Sequence, residues 1–552
     1  MRKHLFITVI LLIASVFITV VYFKNLNTPG MRTDRIMRVI PGDALLIFEF
    51  NNDKTFYDIF NNNQLFEAVA GKQKLNELNT LRKQLLLSPF LEKFVTSQNV
   101  FISIHPSKTD TVALLFTFSP ASGFKLSAFD QFSKQPQPGM VVTPMRSGNK
   151  QGYNIYIESL KKRFYIIETA DNIFSGSFEK ELVDKSLSEK WEKGNPVFSL
   201  LSAQQNANSL ANLYINYGQL SAMFDLLFKN KNTDILKGVE LLPALGTLSL
   251  NYRTDALMFN GATDIQEQRP ASYLNLYTRQ QPVTNHLKEV FPATTAYSIN
   301  FAIADPLKFS SELSKWHTKA GLDKEKDLLF NKVKAETGVN LKTEFNNLLG
   351  NEFAVLTTKY FEKFAIISIK NGSKVKQLIA GISAMPGAAG ISSNKNNVTS
   401  DTQNLDDLSE TSGQFNYDKL PFFLLGDAFG VFRRPYYLVI DNYLILANSS
   451  NELTSYYDTY INRKFLNKNE QYNEFDNLLA ERSNVTFFFQ FKNSLPILKR
   501  DLYPNIYNIF DSDGTGWGYF YGASLQFTAT EKNFYTNFCM KLNTDTAIAK
   551  KN

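Results

Sequence analysis

The stretch Val39-Ile40-Pro41-Gly42-Asp43-Ala44-Leu45-Leu46-Ile47-Phe48-Glu49-Phe50 has a second version in the same chain, Val290-Phe291-Pro292-Ala293-Thr294-Thr295-Ala296-Tyr297-Ser298-Ile299-Asn300-Phe301. In each, an apolar pair and a proline lead into a strand. The alternation puts Leu46, Phe48 and Phe50 on one face of the first strand and Tyr297, Ile299 and Phe301 on one face of the second. The two versions lie 251 positions apart. An aspartate able to cap a helix follows each strand, Asp53 before Thr55 to Phe60 and Asp305 before Pro306, where Asp-Pro is a helix-start signal. A similarity at so long a period predicts one folding unit present twice.

Working outward, Asn99 to Ile104 with Ala113 to Phe118 reads as a hairpin, and Asn351 to Leu356 with Ala365 to Ile369 repeats it at an offset of 252. Tyr153 to Glu158 with Phe164 to Ile167 is matched to Tyr436 to Asp441 with Tyr443 to Leu446, an offset of 283 between Ile157 and Ile440. A polar stretch and a helix follow each, over Asp171 to Leu187 and Ser449 to Ile461. Asn212 to Tyr217 and Thr247 to Tyr252 then match Thr486 to Phe491 and Ala523 to Phe527, at offsets of 274 and 275. The step from 252 to 283 needs 31 extra residues in the second half, and Pro386 to Tyr417, rich in Ser, Asn, Gly and Asp, is the tract expected to supply them as a flexible insertion.

The pattern predicts an α+β fold: two tandem copies of a largely antiparallel sheet with helices, because most strands come in short-looped pairs. The expected bounds are 36–266 for the first copy, 267–286 for a join and 287–544 for the second copy, with the insertion at 386–417. The 44% hydrophobic and 20% charged content is that of a folded globular chain, which excludes wholesale disorder and collagen-like classes. Aromatic residues reach 14%, which favours β-rich structure.

The formal charge is +7, and it falls to +4 without Arg2, Lys3 and Lys24. No concentrated basic stripe accompanies it, so nucleic acid is not an expected partner. The single cysteine, Cys539, excludes an intrachain disulfide and a Cys-based zinc site, and reads as a small residue in a strand.

Leu5 to Phe23 is nineteen residues without a charge, and as a helix it would span about 28 Å, the hydrocarbon thickness of a bilayer. No small-residue cleavage site follows, since the run ends in Val20-Val21-Tyr22-Phe23-Lys24. With Arg2 and Lys3 ahead of it, residues 1–26 read as a cytoplasmic tip and an uncleaved signal anchor. The expected location is therefore the bacterial inner membrane, with the body in the periplasm or another extracytoplasmic space.

The anchoring helix, the Pro-x-x-Ala and Pro-x-x-Thr lead-ins (Pro41 to Ala44, Pro292 to Thr295) and the duplicated α+β body together resemble an uncharacterised family of bacterial envelope proteins, described only as a domain of unknown function. The resemblance covers most of the body and brings no catalytic or binding residue with it.

Chemistry is sparse. Of the four histidines, His4, His105, His286 and His317, no two of the last three are close enough in sequence to form a local metal pair. No zinc-protease, nucleophile-elbow or phosphate-loop pattern occurs. Trp316-His317 reads as a surface pair on a helix, and Ser177-x-x-Lys180 as a chance spacing. Asp511 and Asp513, in Asp511-Ser512-Asp513-Gly514-Thr515-Gly516, are the weak metal candidates, but a calcium loop would need an acid at Gly522. Asp406, Asp407 and Glu410 read as a solvated acidic knot. Phe422 to Leu425 and Phe487 to Phe489 read as strands buried on both faces.

No catalytic residue, resident metal or cofactor is expected. The favoured reading is a non-enzymatic anchored protein whose exported body binds or scaffolds an envelope protein or lipid. A carrier with an apolar groove and a hydrolase with a site assembled from distant residues are the alternatives.

Overall fold

The computed structural model describes residues 29–60, 64–88, 91–107, 112–121, 124–134, 138–170, 172–187, 209–229, 245–264, 272–384, 412–511, 516–531 and 533–543. The apolar segment 5–23 lies outside them, as do Asp513, the acidic knot and most of the tract 386–417. Among the described residues no helix is long and apolar enough to cross a membrane. The chain divides into two compact units, residues 1–59 with 79–215, and 60–78 with 216–552. It is α+β, with antiparallel sheet and helices, as the hairpin pattern predicts.

In unit 1 the strands are β1 (Leu46–Asn51), β2 (Asn99–Pro106), β3 (Val112–Phe118), β4 (Met140–Ser147), β5 (Lys150–Ile157), β6 (Lys162–Ala170), β7 (Ile173–Ser177) and β8 (Ala211–Asn216). They pair antiparallel in the order β4-β5-β6-β7-β3-β2-β1-β8. Ile173–Ser177 falls where a polar stretch and helix are expected, and is a strand because its five residues are all buried between β3 and β6.

The face of β1 that is sealed is not the aromatic one. Ile47 and Glu49 are 0% and 1% exposed, whereas Phe48 is only partly buried under Phe50 and Phe56. The sealed face continues through Ser103 and His105 on β2 and Leu115 on β3, where Leu182 and Val183 of the helix Lys180–Ser186 cover it. Asp53 accepts the Phe56 N–H at 2.8 Å and starts the helix Lys54–Phe60, as its position predicts.

In unit 2 the strands are β9 (Leu245–Tyr252), β10 (Ala256–Asp264), β11 (Val283–Thr284), β12 (Thr295–Ala302), β13 (Leu349–Thr358), β14 (Lys363–Ile369), β15 (Ser383–Ala384), β16 (Ser412–Phe415), β17 (Tyr436–Ile440), β18 (Tyr443–Ala447), β19 (Arg482–Ser483), β20 (Val485–Gln490), β21 (Phe520–Ala529) and β22 (Phe534–Leu542). The sheet runs β17-β18-β14-β13-β12-β20-β21-β22-β10-β9. It is extended at β17 by β16 and then β15, while β11 and β19 pair separately. Asp305 accepts from the N–H groups of Leu307 and Lys308 and caps the helix Pro306–Lys319.

Three expectations change in unit 2. Phe422 to Leu425 belongs to a helix, Leu420–Leu425, because Pro421 sits where a helix start needs no N–H and Gly426, at φ 101°, breaks it. The end of the tract 386–417 forms β16 rather than a flexible loop. The described part of the join 267–286 is packed into unit 2: Tyr273 and Tyr277 are buried, and Tyr277 stacks on Phe301 with ring centroids 5.3 Å apart.

Candidate functional site

Asp511 is the last residue of the helix Pro504–Asp511. Among the described residues no group of three His, Cys, Asp or Glu side chains is arranged to hold a metal ion. Ser177 and Lys180 do not meet: the Ser177 hydroxyl donates to the Leu114 carbonyl at 2.7 Å, and Lys180 pairs with Asp184 at 2.8 Å. Cys539 is a buried strand residue on β22, and burial pushes its thiol up to about 12.

One constellation with catalytic geometry does form, from residues far apart in sequence. Ser103 and His105 alternate onto one face of β2, and the Leu45 N–H bond to the Ile104 carbonyl at 2.8 Å holds the lead-in loop against that strand. Asp43, in that loop, lies 2.8 Å from His105 Nδ1, and the Ser103 hydroxyl lies 2.8 Å from Nε2. Lys185 approaches Asp43 at 3.2 Å. The carboxylate selects the tautomer with the proton on Nδ1, leaving Nε2 to accept from Ser103, the arrangement of an oriented base beside a nucleophile.

Access decides against that chemistry. Ser103 and His105 are both 0% exposed, so no carbonyl carbon can reach the hydroxyl oxygen in this conformation. Burial holds His105 below its ordinary value, only partly opposed by Asp43. Burial also acts to raise Asp43, but hydrogen bonds and charge from His105 and Lys185 prevail and bring it to about 2. A neutral imidazole and an ionised carboxylate result near neutral pH.

Each unit also buries an acid in its sheet, Glu49 on β1 in unit 1 and Glu352 on β13 in unit 2. In unit 1, Glu49 accepts from Tyr214 at 2.6 Å, Asn99 at 2.7 Å, Thr33 at 3.3 Å and Asn212 at 3.4 Å. Burial raises its pKa against those four hydrogen bonds. In unit 2, Asn300 on β12 donates to Glu352 on β13 at 3.2 Å, and Glu352 accepts the N–H groups of His286 and Leu287 at 2.9 and 3.0 Å. Glu49 ties the segment before β1 to the sheet, through Thr33, and Glu352 ties the segment before β12, through His286 and Leu287, which is a structural use of a buried carboxylate.

His317 is buried, not at the surface, because Phe309, Leu313 and His317 recur every fourth residue on the inward face of their helix. It borders a cleft with Ser314, Lys326, Lys342, Asn346 and Phe423, of a size that suits a single water molecule. Lys326 is committed there to Asp323 at 2.7 Å and Ser314 at 3.3 Å. Burial, reinforced by the Lys326 charge, lowers His317 to about 4. The cleft is too small for a metabolite.

No known protein family, curated protein or solved structure matches the chain. The Ser103, His105 and Asp43 set escapes sequence reading because Asp43 is 62 residues from His105; the only local sign is a serine and a histidine two apart in a strand.

Proposed function

We propose that this chain is a membrane-tethered bacterial envelope protein, anchored by residues 5–23, whose exported body is two copies of one module and binds or scaffolds another envelope component. The reading keeps the resemblance to the uncharacterised envelope family. The observation that supports its duplicated body is a recurring strand order. Unit 1 runs β5-β6-β7-β3-β2-β1-β8, and unit 2 runs β16-β17-β18-β14-β13-β12-β20.

Register supports the same correspondence. Phe50 pairs with Ala211 and Phe301 with Val485, so the partners shift by 251 and 274, as the quoted sequence offsets require. Gly152 opposite Ile167 recurs as Gly413 opposite Tyr437. On this reading β17 and β18 correspond to β6 and β7, with Asn172 matching Asn442 at an offset of 270 in place of the 283 of the sequence match. On that correspondence the step after β14 is 18 residues, from 252 to 270, rather than 31, and residues 385–411, between β15 and β16, lie outside the described residues.

A duplicated body whose buried polar groups are used to brace its own sheets suits binding better than turnover. In-cell crosslinking, membrane extraction and mass spectrometry of copurified proteins and lipids test the proposal. A small set of enriched envelope proteins is expected; stoichiometric lipid without protein would replace the scaffold with the carrier, and recovery in the cytosolic fraction would end both.

A further inference from the structure

The hairpin joining β13 to β14 carries an exposed aromatic tip with a costly backbone. Its turn is Lys359-Tyr360-Phe361, closed by the Thr358 N–H to the Glu362 carbonyl at 2.9 Å and the Phe361 N–H to the Thr358 carbonyl at 2.9 Å. Phe361 has φ 69°, the left-handed conformation that hairpins of this length assign to glycine and that bulky residues rarely adopt. Tyr360 is 63% and Phe361 37% exposed. A phenylalanine in a left-handed turn position at a partly exposed tip is an outlier that points to use of its ring.

Cations surround the tip. The Arg500 guanidinium lies 4.4 Å from the Phe361 ring centroid and Lys359 Nζ 5.0 Å from that of Tyr360. Backbone bonds gather neighbouring segments at the same edge of unit 2: Lys359 N–H to the Thr294 carbonyl, Ala293 N–H to the Lys464 carbonyl, both at 2.9 Å, and the Asn493 side chain to the carbonyls of Ala293 and Thr295. Arg463, Lys464, Lys492, Lys499 and Arg500 are exposed there. Three acids lie among them, Asp458 paired with Lys464, Asp501 paired with Arg500 and Glu362 accepting from Thr358, so the six cations leave the edge net positive.

We propose that this edge docks on an anionic lipid surface, with Tyr360 and Phe361 entering the headgroup layer and the cations meeting lipid phosphates. Amphipathic rings at the interface, with Lys and Arg beside them, are what such a surface selects. The inference needs a lipid surface within reach of the body but no protein partner, so it can fail or hold separately from the scaffold reading.

The test uses the full chain reconstituted in vesicles, with Tyr360→Cys carrying an environment-sensitive fluorophore; Cys539 is buried and does not compete for label. In phosphatidylglycerol-rich vesicles the emission shifts to the blue and is quenched by lipid-borne nitroxide, and in phosphatidylcholine vesicles both effects are weaker. Reversing Lys359 and Arg500 to Glu in the labelled chain weakens the interaction by about tenfold or more. In the otherwise native chain, Phe361→Gly relieves the backbone strain, so it leaves thermal stability equal or higher while reducing protection of the body from protease by anionic vesicles. Emission identical in anionic and neutral vesicles, or insensitivity to the charge reversals, overturns the proposal, as would an effect seen only with an added acidic protein.

Discussion

The Ser103 hydroxyl lies 2.8 Å from His105 Nε2 while neither residue reaches solvent, so a catalytic arrangement serves as an internal brace between β2 and the loop before β1. Its pH behaviour follows from burial. The folded-state pKa of His105 is lowered, so below the unfolded value the unfolded chain binds more protons and stability falls. The contribution is complete above about pH 6.5 and is lost as pH drops below it, at no more than about 1.4 kcal/mol per pH unit. Asp43, lowered to about 2, contributes above pH 3.8 and loses that contribution as pH falls toward 2. Urea unfolding at a series of pH values should show the His105 limb in the native chain and its removal in His105→Gln.

Glu49 behaves in the opposite sense. Its folded pKa is raised, so its ionisation opposes folding as pH rises from the unfolded value through the folded one. Glu49→Gln should keep the fold with a change of about 1 kcal/mol or less, because Asn99, Asn212 and Tyr214 can reorient to pair with an amide. Glu49→Leu should cost about 3 kcal/mol or more by leaving several buried donors without an acceptor. Chemical denaturation of the two variants distinguishes these outcomes.

Two glycines, Gly152 in unit 1 and Gly413 in unit 2, sit where a side chain would meet the neighbouring strand. A Cβ at Gly152 would stand 2.6 Å from the Ile166 carbonyl oxygen, and one at Gly413 would stand 2.6 Å from the Tyr437 hydroxyl. Gly152→Ala meets backbone and should cost about 1–3 kcal/mol. Gly413→Ala meets the end of a side chain, so Tyr437→Ala in the same chain should recover part of its loss. Thermal melts of the single and double variants measure this.

His317 has an Nε2 atom with no hydrogen-bond partner among the described residues, beside Lys326. Replacing it with Leu removes that buried polar atom from an aromatic setting formed by Trp316, Phe422 and Phe423. The variant should be as stable as the native chain or more stable by about 1 kcal/mol. A loss above about 2 kcal/mol in denaturant titration would give the imidazole a role beyond packing.

The hairpins Asn99–Phe118 and Asn351–Ile369 and the two aspartate-capped helices are legible in the sequence because they rest on alternation and local capping. The covered face of β1 is not, because Glu49 reads as solvent-facing until Asn99, Asn212, Thr33 and Tyr214 arrive from distant segments. Phe422 to Leu425 misleads for a related reason: an apolar run has no period, and Pro421 and Gly426 settle its form only when both are weighed. The place of the β6–β7 hairpin beside β3 is a tertiary property, set by the pairing of β3 with β7, and hairpins of similar appearance do not reveal it. Ser103, His105 and Asp43 were illegible as a set because their meeting depends on the pairing of β1 with β2.

The central claim is that the body acts by binding and that its Ser103, His105 and Asp43 set is structural. The most direct measurement is exposure of the full-length native chain to a fluorophosphonate probe, with intact mass and peptide mapping as readout. The account predicts no adduct at Ser103 while the chain is folded. A stoichiometric adduct on Ser103 that disappears in His105→Gln, with the fold retained, would contradict it.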